Sequence, residues 1–203
     1  RRVGVQIRMA EGELARGNRA GALVQYAPLV AADALDDARL AAVEELATAE
    51  SATALLRGVL ERRVARAAEP EGRAILLERL GTVLAERAGD PDAAAAAWIE
   101  AARLRETEAP DAARARALYE AVLRVAPRNR DAAERLVELC AAGSDWNRVR
   151  TAFDVLVAGA TDDADLVARL ASLEPRARAA GQGSAFVELI DSVSYYVSNT
   201  MSF

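Results

Sequence analysis

Apolar side chains recur at steps of three and four residues along almost the whole chain, the spacing of one face of an α-helix. Short polar stretches rich in glycine, proline or aspartate interrupt this pattern at regular intervals. The pattern predicts eleven helices of similar length, over residues 3–16, 19–33, 37–49, 52–68, 72–88, 91–105, 111–125, 129–142, 145–158, 163–179 and 184–198.

Several of the interruptions have the chemistry of helix caps. Asp90 precedes Pro91, which predicts a capping aspartate with proline at the first helical position. Ser51 is predicted to cap the helix that follows Glu50. Pro28 falls inside the second predicted helix and is expected to kink it.

Residues 3–9 allow a second interpretation, because apolar residues alternate there as in a short strand. Val3, Ile7, Ala10 and Leu14 also fit one helical face, so we favour a helix.

Short connections between helices of equal length predict antiparallel neighbours. Pairs that repeat every 30–40 residues or so are typical of an α-solenoid, in which each pair buries its apolar face on the next. We therefore predict an all-α fold, an α-solenoid of antiparallel helical hairpins stacked in a right-handed superhelix. Residues 1–183 form this domain, and residues 184–203 form a terminal capping or docking helix of the same solenoid.

The amino-acid composition favours close helix packing and excludes several kinds of catalytic site. The chain has 203 residues, of which 49 are alanine and only 4% are aromatic. It has no histidine and no lysine, which excludes a Ser-His-Asp triad, a histidine metal site, a P-loop lysine and a Schiff base. The single cysteine, Cys140, excludes an intrachain disulfide and is predicted to be a buried structural thiol. We expect no enzymatic activity, no cofactor and no metal site.

The net charge of −5 argues against nucleic-acid binding, which needs a basic surface. No apolar run approaches the roughly 18 residues of a membrane span. Abundant alanine and arginine without lysine is typical of a GC-rich bacterial genome. The chain starts at Arg1 rather than methionine, which is compatible with a fragment of a longer protein and with removal of a signal peptide. The compartment therefore stays open, although we favour the cytoplasm.

Two stretches resemble the tetratricopeptide repeat, a family of helical hairpins. The first combines Leu80-Gly81 with a small–large–small pattern at Ala94, Trp98 and Ala101. The second has Ala115, Tyr119 and Val122, followed by a proline stop at Pro127 and a looser unit over residues 129–158.

The resemblance implies that Gly81 allows close helix contact and that the aromatic residues are core. Trp98 and Tyr119 are 21 residues apart, whereas the family repeats about every 34. One helix is therefore extra or missing between them, which leaves the repeat phase after residue 105 open. A related helical-hairpin repeat stays an alternative.

In the family, the first helix of each hairpin lines a concave groove that takes a partner segment. Carried onto this chain, the inner positions are Glu45, Glu78, Glu86, Asp131, Glu134 and Glu138. Residues 131, 134 and 138 share one helix face. We predict an acidic groove for a basic segment of a protein partner, the alternative being an ordinary solvated face.

The function that follows is a non-catalytic protein–protein interaction or scaffold module. The alternative is a ligand-sensing or regulatory helical-repeat domain of a larger signalling protein. The arginine-free segment 184–203 is predicted to cap the solenoid, or else to dock another subunit and form an oligomer. The adjacent carboxylates Glu44-Glu45, Asp36-Asp37 and Asp162-Asp163 are predicted to be solvated rather than catalytic.

Overall fold

The structure, a computed structural model, describes residues 2–160 and 162–200, with side chains up to residue 198. Regular structure in these residues is entirely helical, which confirms the all-α prediction. The helices are α1 (Arg2–Ala15), α2 (Arg19–Ala31), α3 (Asp37–Ala49), α4 (Thr53–Arg66), α5 (Pro70–Val83), α6 (Pro91–Thr107), α7 (Ala112–Val125), α8 (Arg130–Ala142), α9 (Trp146–Ala158), α10 (Asp163–Ala179) and α11 (Gly183–Thr200).

Aspartate and asparagine side chains begin many of these helices. The Oδ1 atom of Asp90 accepts a hydrogen bond from the backbone N–H of Ala93 at 3.1 Å, and Pro91 occupies the first turn as predicted. Asn129 makes the same contact to the N–H of Ala132 at 2.9 Å. Each cap satisfies a backbone donor that the helix itself leaves unpaired.

Many helix boundaries differ from the prediction by one or two residues, and three of these cases are informative. Ser51 does not cap α4, because it adopts a left-handed backbone (φ 54°) and Ala52 takes the capping position without a side-chain bond. Helix α5 starts at Pro70, two residues early, since proline is well tolerated in a first turn. Helix α2 contains Pro28, as predicted, and ends at Ala31, two residues before the predicted end at residue 33. Residues 3–9 lie in α1, so the helical interpretation of that segment is confirmed.

Helix α5 continues into a π-helical turn, Leu84–Ala88. Gly89 ends it with a left-handed backbone (φ 65°), a conformation that glycine adopts without steric cost. Glu86, a predicted partner-binding residue, lies in this turn and is exposed.

Helices α1–α6 form one compact unit, in which each helix packs against the next. Helix α2 also contacts α4. The centre of its core is made of side chains from the first four helices, among them Ala10, Tyr26, Leu29, Leu40, Val43 and Val59. This is the packing of stacked helical hairpins.

Helices α7–α11 form the second compact unit. Helix α8 packs against both α7 and α9, and α11 packs against both α9 and α10. Leu189 and Val193 of α11 are buried. Residues 201–203 of the predicted terminal segment lie outside the described residues. The predicted domain boundary at residue 184 stays a prediction.

Candidate functional site

An open groove in the first unit lies between α1, α2 and α3, with a volume of about 320 Å³. Its lining consists of Leu14, Arg19, Tyr26, Ala42, Glu45, Leu46 and Ala49. Glu45 is one of the six predicted partner-binding residues, and it is exposed at this groove. We refer to this feature as the Glu45 groove.

The walls of the Glu45 groove are largely apolar. Tyr26 is buried (6% exposed), and burial followed by the Glu11 carboxylate raises the pKa of its phenol. Leu14 is 38% exposed, an unusually open position for a leucine beside a core tyrosine. The groove therefore offers an uncovered apolar surface to the aliphatic part of a side chain.

The charges of the Glu45 groove do not cancel. Arg19 lies 3.6 Å from a carboxylate oxygen of Glu50, so its charge is compensated within the chain. Glu45 has no ion pair with any residue in the described part of the chain. One carboxylate is thus left to interact with a cation from outside.

Glu78 is placed very differently. Its side chain is buried (8% exposed), and its Oε1 atom accepts from Arg105 Nε at 3.1 Å. Arg105 is also buried and contacts Glu71, and these hydrogen bonds raise the pKa of its guanidinium. Glu78 thus links α5 to α6 within the fold, and its carboxylate is already engaged. A buried ion pair of this kind is costly to break because the remaining charge would lose its partner.

The three predicted residues on α8 are also close to arginines. Glu138 contacts Arg135 at 2.5 Å, within the same helix. Glu134 accepts from Arg130 at 2.7 Å and from Arg169 at 2.8 Å. Asp131 lies beside them on the exposed face. The structure brings these three residues together, as the helical spacing predicts, but arginines compensate at least two of the three charges.

Glu134 belongs to a closed ring of two arginines and two carboxylates between α8 and α10. Arg130 and Arg169 each contact both Glu134 and Asp165, with Arg169 Nε 3.0 Å from Asp165. The hydrogen bond from Arg169 holds the pKa of Asp165 below its usual value, aided by the charges of both arginines. We call this arrangement the α8–α10 charge ring.

The prediction that Glu44 is solvated is wrong. Glu44 is 1% exposed and forms ion pairs with Arg63 of α4 and Arg79 of α5. Although its Oε1 atom lies next to Arg79, it has no hydrogen bond there. The signal was present: Glu44 follows Leu40 by four residues and precedes Ala47 by three, so all three share the buried face of α3.

The packing predicted from the repeat-like residues is confirmed. A Cβ atom on Gly81 would lie 2.4 Å from Nε1 of Trp98, so only glycine fits there. The Trp98 indole N–H donates to the carbonyl of Glu78 at 3.2 Å. Ala94 and Ala101 on the same helix are fully buried. Tyr119, Trp146 and Phe153 are buried as well, so these three residues and Trp98 belong to the core, as predicted.

Cys140 is buried, as predicted. Burial, followed by the nearby Asp145 carboxylate, raises the pKa of its thiol to about 11. The thiol is therefore protonated at neutral pH, whereas a nucleophilic cysteine must form the thiolate.

Within the described ranges, no three histidine, cysteine, aspartate or glutamate side chains meet in an arrangement suited to a metal ion. Among the same residues, none of the helices combines the length and apolar character needed to span a lipid bilayer.

Comparison with known proteins gives little further information. No protein-family model matches the chain, and no curated protein matches it. Among solved structures, the chain is similar to the crystal structure of BtubC (BKLC) from P. vanneervenii, with 16% sequence identity and a TM-score of 0.40. That match covers 99% of this chain and 91% of the other. A likeness at this level carries no argument about function.

Proposed function

We propose that this chain is a non-catalytic protein-interaction module whose first unit binds a basic segment of a partner protein in the Glu45 groove. The observation that carries the proposal is the uncompensated carboxylate of Glu45 at the edge of an uncovered apolar surface. Of the predicted inner carboxylates, Glu78, Glu134 and Glu138 already have arginine partners, so the proposal does not use them.

The chemistry of the groove favours arginine or lysine on the partner. Such a side chain places its aliphatic stem against Leu14, Leu46 and Tyr26 and its charged end at Glu45. A volume of about 320 Å³ suits one or two side chains rather than a whole helix. The exposed charge of Glu45 increases the encounter rate and the selectivity of binding more than it increases the affinity.

We further propose that the hairpins belong to the tetratricopeptide repeats or a close relative. Support comes from the Gly81–Trp98 contact between α5 and α6, with Ala94 and Ala101 buried on either side of the tryptophan. A preformed surface on stacked helices lets the host bind with little rearrangement.

The test compares two isosteric variants of the full chain. Twelve-residue random peptides displayed on phage are selected against the wild-type chain, and synthetic copies are measured by fluorescence anisotropy at two salt concentrations. Glu45→Gln should weaken basic peptides by about two- to fivefold and flatten their salt dependence. Glu69→Gln is the matched control, since Glu69 is an exposed carboxylate of the first unit that does not line the groove. Equal affinity of every selected peptide for wild type and Glu45→Gln would refute the proposal.

A further inference from the structure

Two helices, α1 and α11, carry apolar side chains that the fold leaves exposed. On α1 they are Val5 and Met9, four residues apart, and on α11 they are Val187 and Ile190, three residues apart. All four side chains are between 39% and 53% exposed. Residues three or four apart are neighbours on a helix surface, so each pair lies on one face. We call these surfaces the α1 face and the α11 face.

Neither face is the one that holds its helix in the fold. On α1, Ala10 is fully buried and Ile7 packs against the core of the first unit. On α11, Leu189 and Val193 are the buried side chains. The α1 face and the α11 face are therefore apolar surfaces beyond those that folding uses.

The α1 face is positively charged. Arg2 and Arg8 lie three residues before and three residues after Val5, are exposed, and have no ion pair with any residue that the structure describes. Both carboxylates of α1 already have arginine partners: Glu13 pairs with Arg16, and Glu11 with Arg39 of α3. Glu11 also lies on a different side of the helix, because it is two residues from Met9 and six from Val5.

The α11 face is negatively charged. Helix α11 contains no arginine and no lysine. Asp191 follows Val187 by four residues, is exposed, and forms no ion pair within the described part of the chain. Glu188 pairs with Arg150 of α9 at 2.7 Å, and among the described residues no other arginine forms an ion pair with α11. The α11 face thus keeps one uncompensated carboxylate.

We propose that copies of this chain associate head to tail, with the α1 face of one copy packed on the α11 face of a second copy. The contact would cover the four exposed apolar side chains and bring Arg2 and Arg8 towards Asp191. The two rows also match in spacing, because ridges of residues four apart fit between ridges of residues three apart when two helices cross at a shallow angle.

Charge selects this pairing over the two symmetrical ones. Two α1 faces would bring arginines against arginines, and two α11 faces would bring Asp191 against Asp191, whereas α1 on α11 joins opposite charges. A contact between two different surfaces leaves one of each free on the dimer, so further copies add until a ring closes or a filament grows. Two helix faces bury less than a standard interface of about 1,600 Å², so we expect a Kd of about 1–100 μM.

The test is sedimentation velocity of the full chain at about 5–500 μM. Wild type should pass from monomer to larger species as its concentration rises. Arg8→Glu places a carboxylate opposite Asp191, and Asp191→Arg places a cation opposite the arginines of α1. Each variant alone should associate about five- to twentyfold more weakly than wild type. A mixture of the two should associate again, because it contains one intact copy of each face.

Arg87→Glu and Glu108→Arg are the matched controls, because they make the same charge changes at exposed residues outside α1 and α11. Both should associate like wild type. Ile190→Ser tests the apolar part of the contact at an exposed position and should also weaken association. Circular dichroism checks that the helices of every variant remain.

Cysteine cross-linking tests the pairing itself, since the natural Cys140 is buried. The variants Met9→Cys and Ile190→Cys are oxidised mildly, each alone and in a mixture. The mixture should give more cross-linked dimer than either variant alone, because only the mixture places the two new thiols on facing helices.

Three results would overturn the inference. One is a wild-type chain that stays monomeric at the highest concentration, which would mean that a second copy does not cover the α11 face. Another is self-association that Arg8→Glu leaves unchanged. The last is cross-linking of Ile190→Cys alone as efficient as in the mixture, which would indicate symmetrical pairing of α11. None of these results bears on the Glu45 groove, whose test uses Glu45→Gln.

Discussion

At the scale of single residues, small side chains determine how closely the helices approach. Gly81 meets the indole of Trp98 at a distance that leaves no room for a methyl group. The resemblance implied close helix contact at Gly81 and a core position for Trp98, whereas their direct contact with each other is seen only in the structure. Burial of Glu44 was not predicted, since its adjacency to Glu45 suggested a solvated pair although its helical phase indicated the buried face.

Replacing Gly81 by alanine should destabilise the protein by about 1–3 kcal/mol, because the new methyl group would collide with Trp98. The control is Gly72→Ala on the same helix, where nothing lies within 4 Å of the new Cβ atom. This control should be neutral or stabilising by up to about 1 kcal/mol, owing to the better helix propensity of alanine. Urea unfolding of the two variants measures both effects. If Gly81→Ala and Gly72→Ala have equal free energies of unfolding, the close contact between Gly81 and Trp98 is contradicted.

We expect the protein to lose stability at alkaline pH because of the raised pKa of the Cys140 thiol. Its folded pKa is raised from 9.0 to about 11, so the unfolded chain loses this proton first as the pH rises. The stabilising contribution is complete below pH 9 and disappears between pH 9 and 11, by roughly 3 kcal/mol. Unfolding free energies of wild type and Cys140→Ala, measured from pH 8 to 11, should converge over this range. A constant difference would show that the thiol does not titrate as described.

At the scale of elements, charged pairs join helices that are not neighbours in sequence. The α8–α10 charge ring spans two helices through Glu134 and Asp165. Sequence alone indicated that Asp131, Glu134 and Glu138 share a face, because the helical period fixes that. It could not indicate that arginines would compensate them, since Arg169 comes from a helix that begins more than twenty residues later.

Asp165→Asn should destabilise the second unit at neutral pH by up to about 1 kcal/mol, because it removes a carboxylate from both arginines of the ring. The folded pKa of Asp165 is lowered, so its contribution is present above the pKa of the unfolded chain and is lost as the pH falls. The difference between wild type and variant should therefore shrink towards pH 3. Denaturant titrations at pH 7 and pH 3 measure it.

Glu174→Gln serves as the comparison for the charge ring. Glu174 pairs with Arg178 at 2.6 Å within α10 alone, so its loss should cost less than the loss of Asp165. If the two variants have equal stability at both pH values, the ring does not join the helices energetically.

At the scale of the whole molecule, the chain forms two compact units, and the first unit carries the Glu45 groove with its uncompensated carboxylate. The first unit ends at Ala109 and the second begins at Pro110, between Trp98 and Tyr119. The change in repeat phase between Trp98 and Tyr119 falls at this boundary. Helix α7 is therefore the first helix of the second unit, and no helix precedes it within that unit. The helices and the packing glycine could be predicted from periodicity and turn chemistry. The Glu45 groove could not be predicted, because it depends on which of many similar arginines and carboxylates meet across helices.

The most direct test of the central claim is amide hydrogen–deuterium exchange of the full chain with and without a selected basic peptide. The account predicts slower exchange in the segments 14–26 and 42–49, which contain the lining residues of the Glu45 groove, and unchanged exchange in α7–α11. Protection confined to α8 and α10, or bound peptide without protection around Glu45, would contradict the account.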